Sequence, residues 1–155
     1  MINTNATEPS AKADFTVGGI SGRSRTLSML EWKYIFNGKN DRSRTASVCG
    51  ITGKVVAPDD FSGTLADSYD SAKWAVAESQ GVVFFPAAGS RWDTEIWKTG
   101  SYGNYWSSAP WYYDNAQVVL FDCQYTFFNF METLRWEGCA IRLVENVTES
   151  LLPPR

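Results

Sequence analysis

No histidine occurs anywhere in the 155 residues. That absence removes the default general base near neutral pH, the Ser-His and Cys-His nucleophile pairs, and the commonest transition-metal ligand, and with them most hydrolase mechanisms. Cysteine is scarce as well: Cys49, Cys123 and Cys139 form no C-x-x-C pair, and an odd number cannot be fully paired within one chain. The longest near-apolar run, Val82 to Gly89, is interrupted by Pro86 and is far short of the roughly 20 residues that a membrane-spanning helix requires. Charge of one sign is also missing, since the net charge is only -3. The densest basic stretch, Arg23 to Arg44, also holds Glu31 and Asp41, so nucleic-acid binding is not expected. The first residues, Met1 to Lys12, carry Glu8 and Pro9 where an export signal would have its apolar core. What remains is 44% hydrophobic and 15% aromatic, which suits one globular domain that buries a core without disulfide or metal support.

Residues 1–14, rich in Asn, Thr, Ser and Ala, read as a flexible leader, 15–146 as the domain and 147–155 as a tail. Ser28-Met29-Leu30-Glu31 is a capping box, with Leu27 placed to staple against Trp32 and Gly38 after the last apolar position. The spacing predicts a helix over about 28–37 with Met29, Trp32, Ile35 and Phe36 buried and Lys33 and Asn37 in solvent. Asp70, with Tyr69 before it, Trp74 at the stapling position and Gly81 as terminator, predicts a second helix over about 71–80. Val48 to Val56 reads as a hairpin-like pair of strands around Gly50 and Gly53. Val82–Phe85, Tyr105–Ser108, Ala116–Asp122 and Cys139–Val144 read as further short strands, giving an α+β domain.

The stretch 102–136 holds twelve aromatics and only four charged residues. Phe127-Phe128-Asn129-Phe130 would put large rings on both faces of a strand, so some rings should meet solvent or a partner. Trp32, Trp74, Trp106, Phe85 and Leu143 read as core, and Arg135 and Arg142 as arginines that could bind an anion but are expected in a buried pair with Asp or Glu.

Ordered words along residues 24–144 carry a family resemblance. They are Arg25-Thr26-Leu27-Ser28 leading into Glu31-Trp32-Lys33-Tyr34; Ala46-Ser47-Val48-Cys49-Gly50 with Pro58-Asp59-Asp60; Phe85-Pro86-Ala87-Ala88-Gly89 with Arg91; and Gly100-Ser101-Tyr102-Gly103-Asn104-Tyr105-Trp106-Ser107-Ser108. Asn115-Ala116, Leu120-Phe121, Arg135, Gly138 and Ile141-Arg142-Leu143-Val144 close the series. In these the chain resembles the C-type-lectin-fold variable proteins that retroelements diversify in gut bacteria and their phages, with kin among secreted bacteroidete major paralogous domains. The resemblance implies a C-type-lectin-like fold, two helices packed on a twisted, mostly antiparallel sheet with long irregular loops.

It also implies a ligand-binding, receptor-recognition protein without catalysis, displayed on a phage virion or bacterial cell surface, its partner a protein on a cell surface. Residues 111–137 would be the variable region, since Asn codons rewritten at adenines become codons like those of Tyr112, Tyr113, Asp114, Cys123, Tyr125, Phe127, Phe128 and Phe130. Trp111, Met131, Glu132 and Trp136 need another template codon. The candidate ligand-binding residues are Trp111, Tyr112, Tyr113, Asp114, Gln117, Asp122, Gln124, Tyr125, Phe127, Phe128, Phe130, Glu132, Trp136 and Glu137. Rings would supply contact area with few rotors to freeze, and the polar residues would set which partner is accepted. The Glu-Pro-Asn or Gln-Pro-Asp triplet and the Trp-Asn-Asp word of calcium-dependent sugar binders are absent, so no metal or cofactor is expected. The cysteines lie in no context matching the formylglycine-generating enzymes. A fixed-sequence surface adhesin or structural domain of the same fold is the alternative.

Overall fold

A computed structural model describes residues 24–37, 42–124 and 128–145. The expected leader and tail, Tyr125 and Phe127 therefore lie outside the described residues, as does the side chain of Asn37.

The capping box forms as the sequence dictates. The Glu31 amide donates to Ser28 Oγ at 3.3 Å, and the Glu31 carboxylate accepts from the Ser28 amide at 2.8 Å. It opens helix α1 (Met29–Asn37), whose Met29, Trp32 and Phe36 are buried, with Ile35 packed beside them. Asp70 caps α2 (Ser71–Ser79) by accepting from the Lys73 amide at 2.8 Å, the Tyr69 ring meets Trp74 edge-on, and Gly81 ends the helix at positive φ.

Around these two helices the chain is β-rich. Among the described residues about 50% are strand and 15% helix, distributed over four small sheets. This overturns the α+β, C-type-lectin-like expectation of two helices on one twisted sheet. Strands β2 (Ser43–Val48), β3 (Ile51–Val56), β4 (Ser68–Tyr69) and β5 (Val83–Pro86) form one sheet in the order β4-β2-β3-β5, with β4 parallel to β2. Strands β8 (Tyr102–Pro110), β9 (Asn115–Asp122) and β10 (Phe128–Leu134) form an antiparallel sheet in the order β10-β9-β8. Two ribbons complete the set: β1 (Ser24–Thr26) with β11 (Leu143–Glu145), and β6 (Ser90–Trp92) with β7 (Glu95–Trp97).

The strand readings shift accordingly. The 48–56 hairpin turns at Cys49-Gly50, both at positive φ, while Gly53 lies inside β3. The expected strand over 139–144 shortens to β11, with Gly138 and Ala140 making single bridges. The polar strand β2 and the brief β4 carry too little hydrophobic alternation to stand out in sequence.

Each helix serves its own core. Trp32, fully buried, stacks on Phe36 and meets Phe85 and Tyr105, joining α1 to the β8–β9 sheet and to β5. Its indole N–H donates to the Trp106 carbonyl at 3.3 Å. Ala77 of α2 instead packs with Ala46, Val48, Val55 and Tyr69 of the four-stranded sheet. Gly103 belongs to the first core: a Cβ there would sit 2.1 Å from the Phe121 ring, which lies over the bare backbone.

Trp74, Trp106 and Leu143, expected in the core, are only partly covered. Neither Arg135 nor Arg142 makes a buried ion pair among the described residues. Arg135 is exposed and donates through Nε to the Asn115 carbonyl at 3.1 Å, and Arg142 lies over the Phe85 ring.

Candidate functional site

The β8–β9 connection, Trp111 to Asp114, projects from the three-stranded sheet. Its ends are tied by the Trp111 amide to the Asn115 carbonyl and the Asn115 amide to the Tyr112 carbonyl. Trp111 and Tyr112 are exposed and pack edge-on at 5.7 Å between ring centroids. Tyr113 is 94% exposed and sits at φ 50°. A bulky side chain in the left-handed region costs about 1 kcal/mol, and here no burial of the ring offsets it.

The turn after β10 docks against this loop, its Arg135 amide donating to the Asp114 carbonyl at 2.7 Å. One residue on, Trp136 reaches the β6–β7 ribbon, where its ring meets Trp92 edge-on at 4.4 Å. Reciprocal backbone hydrogen bonds of 2.8 Å between Arg91 and Gly138 fix that approach. The ribbon itself exposes Trp92, Ile96 and Trp97. Three segments distant in sequence, tied by these backbone hydrogen bonds, thus carry two groups of exposed rings, Trp111 to Tyr113 and Trp136 with Trp92 and Trp97. Together these groups, the rim, are a richer set than the scattered apolar residues that any surface carries.

The residues expected in the site divide. Trp111, Tyr112, Tyr113, Asp114 and Trp136 lie on the rim, exposed. Glu137 stands half-buried beside Trp92, and the Thr133 hydroxyl donates to its carboxylate. Glu132 and Gln124 are exposed and Gln117 is half-buried. Asp122 is buried and not displayed on the surface: it is 3% exposed, and its Oδ1 accepts from the Gln124 amide at 2.7 Å.

Phe128 and Phe130 turn inward. The β10–β9–β8 register sets Phe130 opposite Val119 and Val119 opposite Tyr105, the face that meets α1. Phe128 stacks on Phe36 at 4.2 Å, and Lys33 Nζ lies over Phe130. The two rings are two residues apart and share one side of β10, with Asn129 and Met131 outward, while Phe127, on which the expected display on both faces rested, lies outside the described residues.

Phe128 also covers a buried lysine. Lys54, 1% exposed, donates to Thr45 Oγ1 at 2.7 Å, and burial draws its pKa down despite the nearby Asp122. The Tyr105 phenol is pushed up to about 12 by burial, as is the Cys139 thiol. Among the described residues, no three Cys, Asp or Glu side chains gather in a way that could hold a metal.

Sequence reasoning missed the β6–β7 ribbon. Its signal was present: Asp93-Thr94, a two-residue turn flanked by Trp92 and the Ile96-Trp97 pair, is a hairpin pattern just upstream of the aromatic window.

Fold and rim together define a β-rich domain that displays an aromatic loop cluster. The chain belongs to the family described as Domain of unknown function (DUF8237), which matches residues 20–144. No curated protein and no solved structure matches it.

Proposed function

We propose that this chain is a binding protein whose aromatic rim recognises a protein on a cell surface, and that the exposed part of 111–137 is diversified by a retroelement. The observation that carries the reading is the number of exposed rings on segments tied together by backbone hydrogen bonds: Trp111 edge-on to Tyr112 with Tyr113 next in the chain, and Trp136 edge-on to Trp92 with Trp97 on the same ribbon. Rigid aromatic anchors on a firm scaffold give contact area at little entropic cost, which is the physics of a paratope. Diversification is compatible with the surroundings of these positions. Tyr112, Tyr113, Asp114, Asn129 and Met131 point outward and can change without opening a cavity, whereas Phe128 and Asp122 cannot. The reading assigns no catalytic step.

The test is binding of labelled protein to intact bacterial cells and to cells shaved with protease. The parent should bind intact cells only, and the variant Trp111→Ala/Tyr112→Ala/Tyr113→Ala should lose that binding with an unchanged melting temperature. Equal binding by parent and variant would remove the rim from recognition. Sequencing the gene across its source population addresses diversification: codons for 112–114, 129 and 131 should vary while 100–108 stays constant. A uniform sequence would leave a fixed adhesin with the same rim.

A further inference from the structure

The β6–β7 ribbon and the turn after β10 enclose a cleft of about 400 Å³ lined by Ser90, Trp92, Trp97, Lys98 and Glu137. Register explains the lining. Ser90 pairs with Trp97 and Trp92 with Glu95, so these four side chains share one ribbon face, and Arg91 and Ile96 take the other. Trp136, next to Glu137 in the chain, stands edge-on to Trp92.

Its charge is unbalanced in a specific way. The Glu137 carboxylate is half-buried, accepts one hydrogen bond from Thr133, and has no ion-pair partner among the described residues. Lys98 lines the same cleft but directs its ammonium over the Tyr102 ring, 4.7 Å from the centroid, so it does not neutralise Glu137. Glu95 adds a second carboxylate on the ribbon face, and Asp93 a third at the ribbon's turn, in a chain of net charge -3.

On the reading of this rim as a protein-binding surface, we propose that the cleft is an anchor pocket for an arginine side chain of the partner. The guanidinium plane stacks on the Trp92 and Trp97 indoles, and its fork donates to Glu137. Arginine suits the lining better than lysine because its cation is planar, weakly hydrated and bidentate toward a carboxylate. Stacking and the charge-assisted hydrogen bonds then act together, and the half-exposed indoles that solvent covers in the free protein gain a partner.

The probes are N-acetyl-arginine methylamide and its neutral isostere, the citrulline derivative, each titrated into the 15N-labelled protein. Indole N–H signals report each tryptophan separately, and Trp32, buried in the α1 core, is the internal control. The arginine probe should shift Trp92, Trp97 and Trp136 saturably in the millimolar range and leave Trp32 unmoved. Citrulline should bind at least about tenfold more weakly, as should arginine to the Glu137→Gln variant, since a charged hydrogen bond is lost in each case. Equal shifts from both probes, undiminished binding to Glu137→Gln, or no saturable shift would each overturn the pocket. The outcome is separable from the wider reading: cell binding lost in the 111–113 variant without any arginine response would retain the rim and discard the pocket.

Discussion

Replacing Glu31 by Gln tests the joint between β1 and α1. In the parent the Glu31 carboxylate takes both arms of Arg25, at 2.7 and 2.5 Å, together with the amide and hydroxyl of Ser28. These contacts, the Arg25 hydrogen bonds foremost, lower its pKa from 4.5 to about 2. A shift of that size corresponds to a ceiling of about 3.4 kcal/mol. The two side chains are 30% and 39% exposed, so solvent screening reduces the expected contribution to about 1–2 kcal/mol. Because the folded pKa is depressed, the stability is fully present above pH 4.5 and is lost as pH falls toward 2. From those two values roughly three-quarters of it remains at pH 4, two-fifths at pH 3 and one-eighth at pH 2. Urea unfolding of parent and Glu31→Gln at pH 7, 4, 3 and 2 measures the difference directly. A gap that stays constant across this range would refute the ionic origin assigned to the joint, and the absence of any gap at pH 7 would refute the joint itself.

Other substitutions read the core and the faces. Gly103→Ala should destabilise by about 3 kcal/mol, visible in the urea midpoint, because its Cβ would enter the Phe121 ring and Phe121 has no exposed side to retreat to. Phe128→Ala should cost about 2 kcal/mol through loss of the stack on Phe36, while its neighbour Asn129→Ala should stay within about 0.5 kcal/mol; equal costs would reverse the facing of β10. Titration with a disulfide reagent at pH 8 should find one fast thiol, Cys49, which is exposed. Burial holds the Cys139 thiol up at about 12 and raises Cys123 as well, so all three should react together only after unfolding.

The helices, and of the first hairpin its turn and its second strand, were legible because their determinants are local, whereas the first strand, Ser43–Val48, lies almost wholly before the expected 48–56. Ser28 and Glu31, or Asp70 and the Lys73 amide, are three residues apart, so a capping interaction is written in the sequence and forms in any surrounding that permits a helix. The same holds for the buried stripe Met29, Trp32 and Phe36, whose helical spacing determines a face, although what that face meets is not specified by spacing. The aromatic excess of 102–136 likewise announced rings in number, and the exposed turn 111–114 fell within it.

Tertiary structure decided the rest, because a period of two determines that residues share a side without naming which side is covered. Phe128 and Phe130 point to α1 only because β10 pairs with β9 in the register that aligns Phe130, Val119 and Tyr105. Asp122, read from the sequence as a ligand-binding residue, is instead buried near Lys54 by the same sheet. The β-rich outcome follows in part from strands too short or too polar to show alternation, β1, β2, β4 and β11, whose pairings β1–β11 and β2–β4 join segments far apart in the chain. So too with the candidate site. The sequence alone determined a surplus of rings near 111–113, and only the tertiary contacts of Arg135 with Asp114 and of Trp136 with Trp92, between segments about 20 and 44 residues apart, tied the turn after β10 to that loop and to the β6–β7 ribbon and created the acidic tryptophan cleft between the ribbon and the turn.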